Sequence, residues 1–222
     1  MQAKRITLSL LAVIFALSAA AQDDTAVWGF LTVKKAVTPR WSLLLKSEIH
    51  SRENTSTLDY WYVATGAGYR FTPWLRTDFG VLFVNSHGRA SATVSDYWRP
   101  IYRTYASFTF SHRVSNVRLA WREYWGYCWM PEKTVDGVYK KGSAYHEHRS
   151  RLRADITLPH SRFTPYAFIE EWNTSTLDRM RYATGITYRL DKRQSIGLLY
   201  MYQDKHHSTN THVLGLEYDL TL

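Results

Sequence analysis

Polar and apolar residues trade places at every second position along most of this chain. In the last segment, 211–222, Leu214, Leu216, Tyr218, Leu220 and Leu222 share one parity, opposed by Thr211, Val213, Gly215, Glu217, Asp219 and Thr221. Successive side chains of a strand point to opposite faces, so this alternation predicts a strand with one face in an apolar medium and the other against water or charge. The same pattern predicts eleven strands, at 26–36, 41–52, 59–71, 74–86, 98–112, 117–129, 146–158, 164–173, 178–190, 194–203 and 211–222. Bounded, alternating runs of this length are the strand signal, and beyond residue 21 no stretch carries a helical period.

The connections between these strands alternate in length. Short ones at 37–40, 71–74, 112–116, 159–163 and 191–194 interleave with longer ones at 53–58, 87–97, 130–145, 173–177 and 204–210. Barrels of the bacterial outer membrane have short periplasmic turns and longer extracellular loops. The pattern therefore predicts an all-β fold, an antiparallel up-and-down transmembrane β-barrel of 10–12 strands with its C-terminus in the periplasm. A soluble β-sandwich would also alternate, but strands of about 10 residues and the regular turn and loop order favour the barrel.

Parity also assigns the faces. Trp41, Leu43, Leu45 and Ile49 oppose Lys46, Glu48, His50 and Arg52, and Leu75, Phe79, Val81 and Phe83 oppose Arg76 and Asp78. Leu152, Ala154, Ile156 and Leu158 oppose Glu147, Arg149, Arg151, Arg153 and Asp155; Met180, Tyr182, Ile186, Tyr188 and Leu190 oppose Arg179, Arg181, Gly185 and Arg189. Two features strain the scheme. Eleven is an odd count that would make the first and last strands parallel, so the expectation is ten strands, with the segment around Trp28 and Phe30 outside the wall, or twelve. Parity also sends Glu123 and Glu170 to the lipid side, where a carboxylate is unfavourable, so a β-bulge turning each inward or a place near the interface is expected.

The N-terminal residues change the compartment and not the fold. Lys4 and Arg5, the apolar run 6–17 and Ser18-Ala19-Ala20-Ala21 read as a signal peptide cut after Ala21, leaving a barrel over 22–222. The apolar run is shorter than the ~20 residues of a helical span. Mean hydropathy is −0.35, as expected of a barrel whose strands face water on one side. Aromatics form 15% of the chain, with 16 Tyr and 9 Trp, residues that favour strands and membrane interfaces. The net charge of +9 includes Lys4 and Arg5, leaving about +7 on 22–222. Its Arg residues are spread along strands and not clustered, which argues against nucleic acid as a partner. The single cysteine, Cys128, excludes an internal disulfide and a cysteine metal site.

Candidate chemistry lies mainly inside. The predicted lumen-lining set is Lys46, Glu48, Arg70, Arg76, Asp78, Arg103, Arg118, Arg122, Glu147, Arg149, Arg151, Arg153, Asp155, Arg179, Arg181, Arg189, Glu217 and Asp219. Arg outnumbers acid in it, so the interior reads either as a pore or cavity favouring small anionic solutes, or as a plug of Arg–carboxylate pairs filling a narrow barrel. A weaker signal sits on the lipid parity. His148 and Ser150 are spaced as in outer-membrane acyl hydrolases that carry a His-x-Ser pair on the outside of the wall, with Glu170 on the next strand as a possible orienter of the imidazole. His146 with His148, and His206-His207, offer imidazoles but no compact third ligand, so no metal or other cofactor is expected. Gly66 and Gly68 fall within a strand and do not form a phosphate loop; Asn54-Thr55-Ser56 and Asn173-Thr174-Ser175 read as loop residues.

Several stretches carry a family resemblance: Trp41-Ser42 through Glu48 and Arg52; His148-Arg149-Ser150-Arg151-Leu152-Arg153; Pro165-Tyr166-Ala167-Phe168-Ile169-Glu170-Glu171; Arg179-Met180-Arg181-Tyr182-Ala183-Thr184-Gly185-Ile186-Thr187-Tyr188; and Leu198-Leu199-Tyr200. The chain resembles a family of Gram-negative outer-membrane β-barrel proteins built on a domain of unknown function. The resemblance implies a barrel in outer-membrane lipid, and no substrate, cofactor or catalytic residue to carry over. Such barrels often end in an aromatic residue read by the barrel-assembly machinery. Here Leu222 is last, and Tyr218 with the apolar alternation of the terminal strand is expected to serve. Three functions follow as expectations: an anion-preferring channel, a non-conducting barrel that meets partners through the 87–97 and 130–145 loops, and a lipid acyl hydrolase.

Overall fold

The computed structural model describes residues 23–174, 177–206 and 208–222. The expected signal peptide and its cleavage site lie outside them. The strands are β1 (Asp24–Ala36), β2 (Trp41–Arg52), β3 (Thr57–Arg70), β4 (Leu75–Gly88), β5 (Tyr97–Val114), β6 (Val117–Met130), β7 (Lys133–Val135), β8 (Val138–Lys140), β9 (Ser143–Ile156), β10 (Phe163–Asn173), β11 (Leu177–Arg189), β12 (Gln194–Lys205) and β13 (Thr211–Thr221). Among the described residues, eleven strands close into one barrel, and β7 and β8 form a separate hairpin. Neighbours in the wall follow chain order, with β6 pairing directly with β9.

Closure corrects the expected strand count. β1 lies in the wall and pairs in parallel with β13, from Asp24↔Thr211 to Lys34↔Thr221, so the barrel has eleven strands and neither ten nor twelve. A parallel ladder is only slightly weaker per residue than an antiparallel one, and closure removes both sheet edges. Side chains add to the hold: Ala26 and Trp28 of β1 are buried on the inner side with Val213, Leu199, Met201, Tyr166, Phe168 and Ala183.

The wall is apolar outside. Leu43, Leu45, Val63, Val81, Leu152, Ile169, Leu198, Leu214 and Leu216 are all exposed on the outer face. Aromatic side chains gather at two levels around this band. Toward the short turns, Trp41 meets Tyr69, Tyr69 meets Phe71, and Trp74, Phe110 and Trp121 stack in series. Toward the long loops, Trp61, Phe83, Tyr102 and Trp129 follow one another with ring centroids 5.5–5.7 Å apart. Two aromatic girdles flanking an apolar band are the surface pattern of a barrel that spans a bilayer.

Two long loops are tied together. Asp136 and Gly137 both have positive φ, 51° and 78°, and form the two-residue turn of the β7–β8 hairpin, the geometry that an Asp-Gly pair favours. The Asp136 carboxylate accepts hydrogen bonds from the Ser95 backbone N–H and Oγ, both at 2.6 Å, and Arg99 donates to the carbonyls of Pro131 and Lys141. Those Ser95 bonds hold the Asp136 carboxyl below the ordinary aspartate range. A group whose folded pKa is depressed stabilises the clasp above its unfolded pKa, and that contribution disappears as pH falls through the folded value. Hydrogen exchange of the 89–96 segment, corrected for intrinsic rates, should therefore be slow at neutral pH and rise in acid, and Asp136→Ala should remove that dependence.

Candidate functional site

The register of the wall sets inward side chains in rows across neighbouring strands. One row runs Arg122, Arg151, Glu170, Arg181, Gln203 over β6, β9, β10, β11 and β12. Glu170 is fully buried at its centre. Its Oε2 accepts from Arg151 Nε at 2.6 Å and from an Arg122 nitrogen at 2.8 Å; its Oε1 accepts from Arg181 at 3.0 Å. Arg181 Nε continues the row to Gln203 Oε1 at 3.0 Å. An adjacent row sets Tyr124, Arg149, Trp172 and Arg179 side by side. The Arg149 guanidinium lies 3.4 Å from the centre of the Trp172 ring, with Arg181 and Arg179 at 4.3 and 4.7 Å. Guanidinium groups stack readily on aromatic faces, so one indole spaces three like charges.

Further pairs line the interior. Glu147, 2% exposed, takes Arg103 at 3.0 Å and Arg149 at 2.5 Å, and Arg103 Nε reaches Cys128 Sγ at 3.0 Å. Glu48 meets His50 Nε2 at 2.9 Å and the Tyr62 hydroxyl, while the His50 ring stacks on Trp28 at 3.6 Å. Arg76 pairs with Asp78, Arg153 with Asp155, and Tyr166 donates across the interior to Glu217 at 2.7 Å.

Space remains between these groups, as an eleven-strand barrel is wider than the eight-strand size that side chains fill. A cavity of about 450 Å³ is lined by Lys46, Arg103, Arg122, Arg149, Arg151, Arg179 and Arg181 against Glu48, Asp59, Asp78 and Glu217, with Trp28, Tyr60, Tyr62, Tyr105, Phe168 and Trp172 between them. Seven cations thus face four carboxylates; Glu147 and Glu170, buried behind them, reduce that excess without reversing it. A second cavity of about 200 Å³ lies toward the short turns, lined by Arg153, Thr187 and Asp219, and shares Phe30, Thr32, Lys46, Glu48 and Glu217 with the first. Lys46 stands at this junction. It makes no hydrogen bond or ion pair among the described residues. Trp28 Nε1, Arg122 Nε and Trp172 Nε1 are buried donors without a protein partner in the wall of the larger cavity.

Of the remaining residues in the predicted lining set, Arg70, Arg118 and Arg189 stand exposed near the short turns, at the mouth. Sequence reasoning missed the inward aromatics Trp28, Tyr60, Tyr62, Tyr166, Phe168 and Trp172. It also misplaced Glu170, which is corrected here: Glu170 faces the lumen by plain alternation with Tyr166 and Phe168, with no bulge at its position. Charge did not distinguish the faces, because Glu170 and Glu171 stand on opposite parities; the inward side is the one whose carboxylate meets the Arg row of the neighbouring strands.

The same correction dissolves the expected trio. Glu170 is on the opposite side of the wall from His148 and Ser150 and orients neither. The carboxylate beside them is Glu123, which stays on the outer face in an unbroken register, Phe108↔Glu123↔Ser150, again without a bulge. No group of three or more potential metal ligands occurs among the described residues; His207 is not among them.

Comparison with known proteins places the fold in a wider setting. The beta domain of the Bordetella autotransporter BrkA is 14% identical, with a TM-score of 0.58 over 83% of this chain and 85% of that one. A porin aligns more loosely, at 16% identity and a TM-score of 0.38 over 83% of this chain and 57% of its own. No curated protein sequence matches the chain significantly. The fold is thus that of outer-membrane β-barrels, and, because residues 25–213 match its model, the chain belongs to the family described as Protein of unknown function (DUF2490).

Proposed function

We propose that the protein spans a Gram-negative outer membrane and that its lumen is a narrow, anion-preferring passage for small solutes. The apolar band between two aromatic girdles supports the membrane placement, since soluble monomers rarely expose contiguous apolar patches beyond a few hundred Å². Insertion would proceed through the barrel-assembly machinery, which would read the terminal strand β13 by Tyr218 and its apolar alternation. The observation that carries the passage is the excess of cations on the larger cavity, with Lys46, which makes no hydrogen bond or ion pair among the described residues, standing beside Glu48 and Glu217 where the two lumenal cavities meet. A cationic pore lining attracts anions and repels cations. Reconstituted into planar bilayers under a KCl gradient, the protein should give small unitary conductances whose reversal potential reports chloride preference. Cation preference would sink this reading.

A second reading is a non-conducting barrel that meets a partner at its loop end. The clasp between Asp136 and Ser95, reinforced by Arg99, favours it, because it presents two long loops as one ordered surface. That reading predicts no conductance from a fully folded barrel.

A further inference from the structure

Among the described residues, Ser150, Glu123 and His148 form a polar cluster on the outer wall that the lumen does not use, with Glu171, held by Asn173, on the neighbouring strand. Ser150 Oγ–H donates to Glu123 Oε1 at 2.5 Å, His148 Nε2 holds Glu123 Oε2 at 2.6 Å, and Trp121 Nε1 donates to Ser150 Oγ at 3.1 Å. The Glu123 side chain is 13% exposed and His148 36%, so the cluster is open at the imidazole end. A wall facing lipid has no need of a carboxylate, and one placed there is costly. The partners assembled on this one are a hydroxyl and an imidazole, the groups of an activated nucleophile.

His148 is the register partner of Trp125, whose ring it meets at 5.5 Å, and Tyr127 and Trp129 follow on the loop side. Ser150, paired with Glu123, lies between the two aromatic levels, next to Trp121 on the short-turn side and below the Trp125, Tyr127 and Trp129 series, within reach of the acyl-ester region of a lipid that dips below the headgroup level. From Ser150 a groove of about 340 Å³, with Glu171 and Met180 level with the serine, runs toward the short turns along the apolar side chains of Trp121, Leu152 and Ile169. A second groove shares Trp121 and Leu152 and continues to Leu119, Phe110 and Trp74. A chain lying in that track would bring its ester end to Ser150.

We propose that Ser150, Glu123 and His148 form an esterase centre on the outer wall for the carboxylic esters of membrane lipids. Ser150 is the nucleophile. Glu123 is the base, because the serine proton already points at it, and His148 is a positioning residue that fixes the other carboxylate oxygen. Ser150 Oγ bonds to the ester carbonyl carbon as its proton passes to Glu123. The tetrahedral oxyanion collapses, the bond to the lysolipid oxygen breaks, and that oxygen takes the proton from Glu123. Water attacks the acyl-serine by the same route, giving a fatty acid and free Ser150. The Trp121 indole N–H is the side-chain donor at hand for the oxyanion; with a single such donor, turnover is slow. This site rests on the membrane placement proposed above but not on conduction.

The test uses the full-length folded protein. A fluorophosphonate probe should label the wild-type protein in detergent micelles, and peptide mapping should find the adduct on Ser150. Ser150→Ala should abolish labelling, and Glu123→Gln should reduce it at least tenfold while the barrel keeps its heat-modifiable gel mobility. His148→Gln should lower the maximal labelling rate without moving the probe concentration at half-maximal rate, a split that a loss of folded protein would not produce. In vesicles of diacyl phospholipid, with and without lipopolysaccharide, release of fatty acid that Ser150→Ala abolishes would support the site, and the two compositions separate glycerophospholipid from lipid A esters. Absence of a Ser150 adduct together with no fatty-acid release from either vesicle would overturn it. Bilayer conductance should be the same for Ser150→Ala and wild type, so failure of the channel reading and failure of this one are told apart.

Discussion

Replacing Glu170 by Gln is expected to lower the unfolding free energy of the barrel by about 3–5 kcal/mol, the range for removing one partner of a buried ion pair. Glu170 binds three guanidiniums within 3.0 Å, and all three remain packed in one row when its charge is gone. The amide keeps the volume and some hydrogen bonds, so the loss isolates the charge. Asp155→Asn, which removes a single contact to Arg153, should shift the midpoint less. Urea titration in lipid vesicles, followed by tryptophan emission, compares the two. Equal shifts would mean that the Arg row is carried by stacking on Trp172 and Phe168 and not by its central carboxylate.

The second large effect concerns selectivity. Lys46→Glu should turn an anion-preferring lumen into a cation-preferring one, with a change of sign in the reversal potential. A monovalent ion passing about 5 Å from that side chain, at an effective dielectric constant near 20, interacts by about 3 kcal/mol. Reversing the charge changes attraction into repulsion of similar size, and each 1.4 kcal/mol is about a factor of ten in relative occupancy. Salt screens this, so the effect should be largest at low ionic strength. Charge reversal at Arg189, on the exposed mouth, should change selectivity much less. If Lys46→Glu leaves the reversal potential unchanged, ions do not pass the junction of the two cavities.

The proposed membrane setting gives the Arg-rich interior its physical sense. With lipid outside, most charges belong inside, where Arg pairs with Glu147 and Glu170 and stacks on inward aromatics. The interior is therefore a scaffold and an electrostatic surface at once. Residues whose charge is spent on partners, such as Arg151 and Arg181, brace the wall. In the proposed channel, Lys46, which makes no hydrogen bond or ion pair among the described residues, is the charge left to act on a passing solute.

Much of this was legible in the residue order. Strand positions followed from the two-residue period, with boundaries differing by a few residues at ends such as those of β5 and β9. The β7–β8 hairpin was not read, because three-residue strands are too short to show a period, although Asp136-Gly137 between Val135 and Val138 is a hairpin signal. On β10 both parities carry apolar residues, so alternation alone sent Glu170, which shares its face with Tyr166, Phe168 and Trp172, to the lipid side. The count went wrong at β1 for another reason: its partner is at the far end of the chain, and no local pattern records a pairing across such a distance.

By itself, then, the sequence determined that the chain is a set of membrane-length strands with an apolar face and an Arg-rich one, because alternation is a property of local backbone geometry. Only the tertiary structure decided that eleven strands close through a parallel seam, that Glu170 and not Glu123 neutralises the Arg row, and that Glu123 meets His148 and Ser150 outside. Each of those depends on which strands become neighbours and in what register, and a one-residue change of register or an error of parity moves a side chain through the wall.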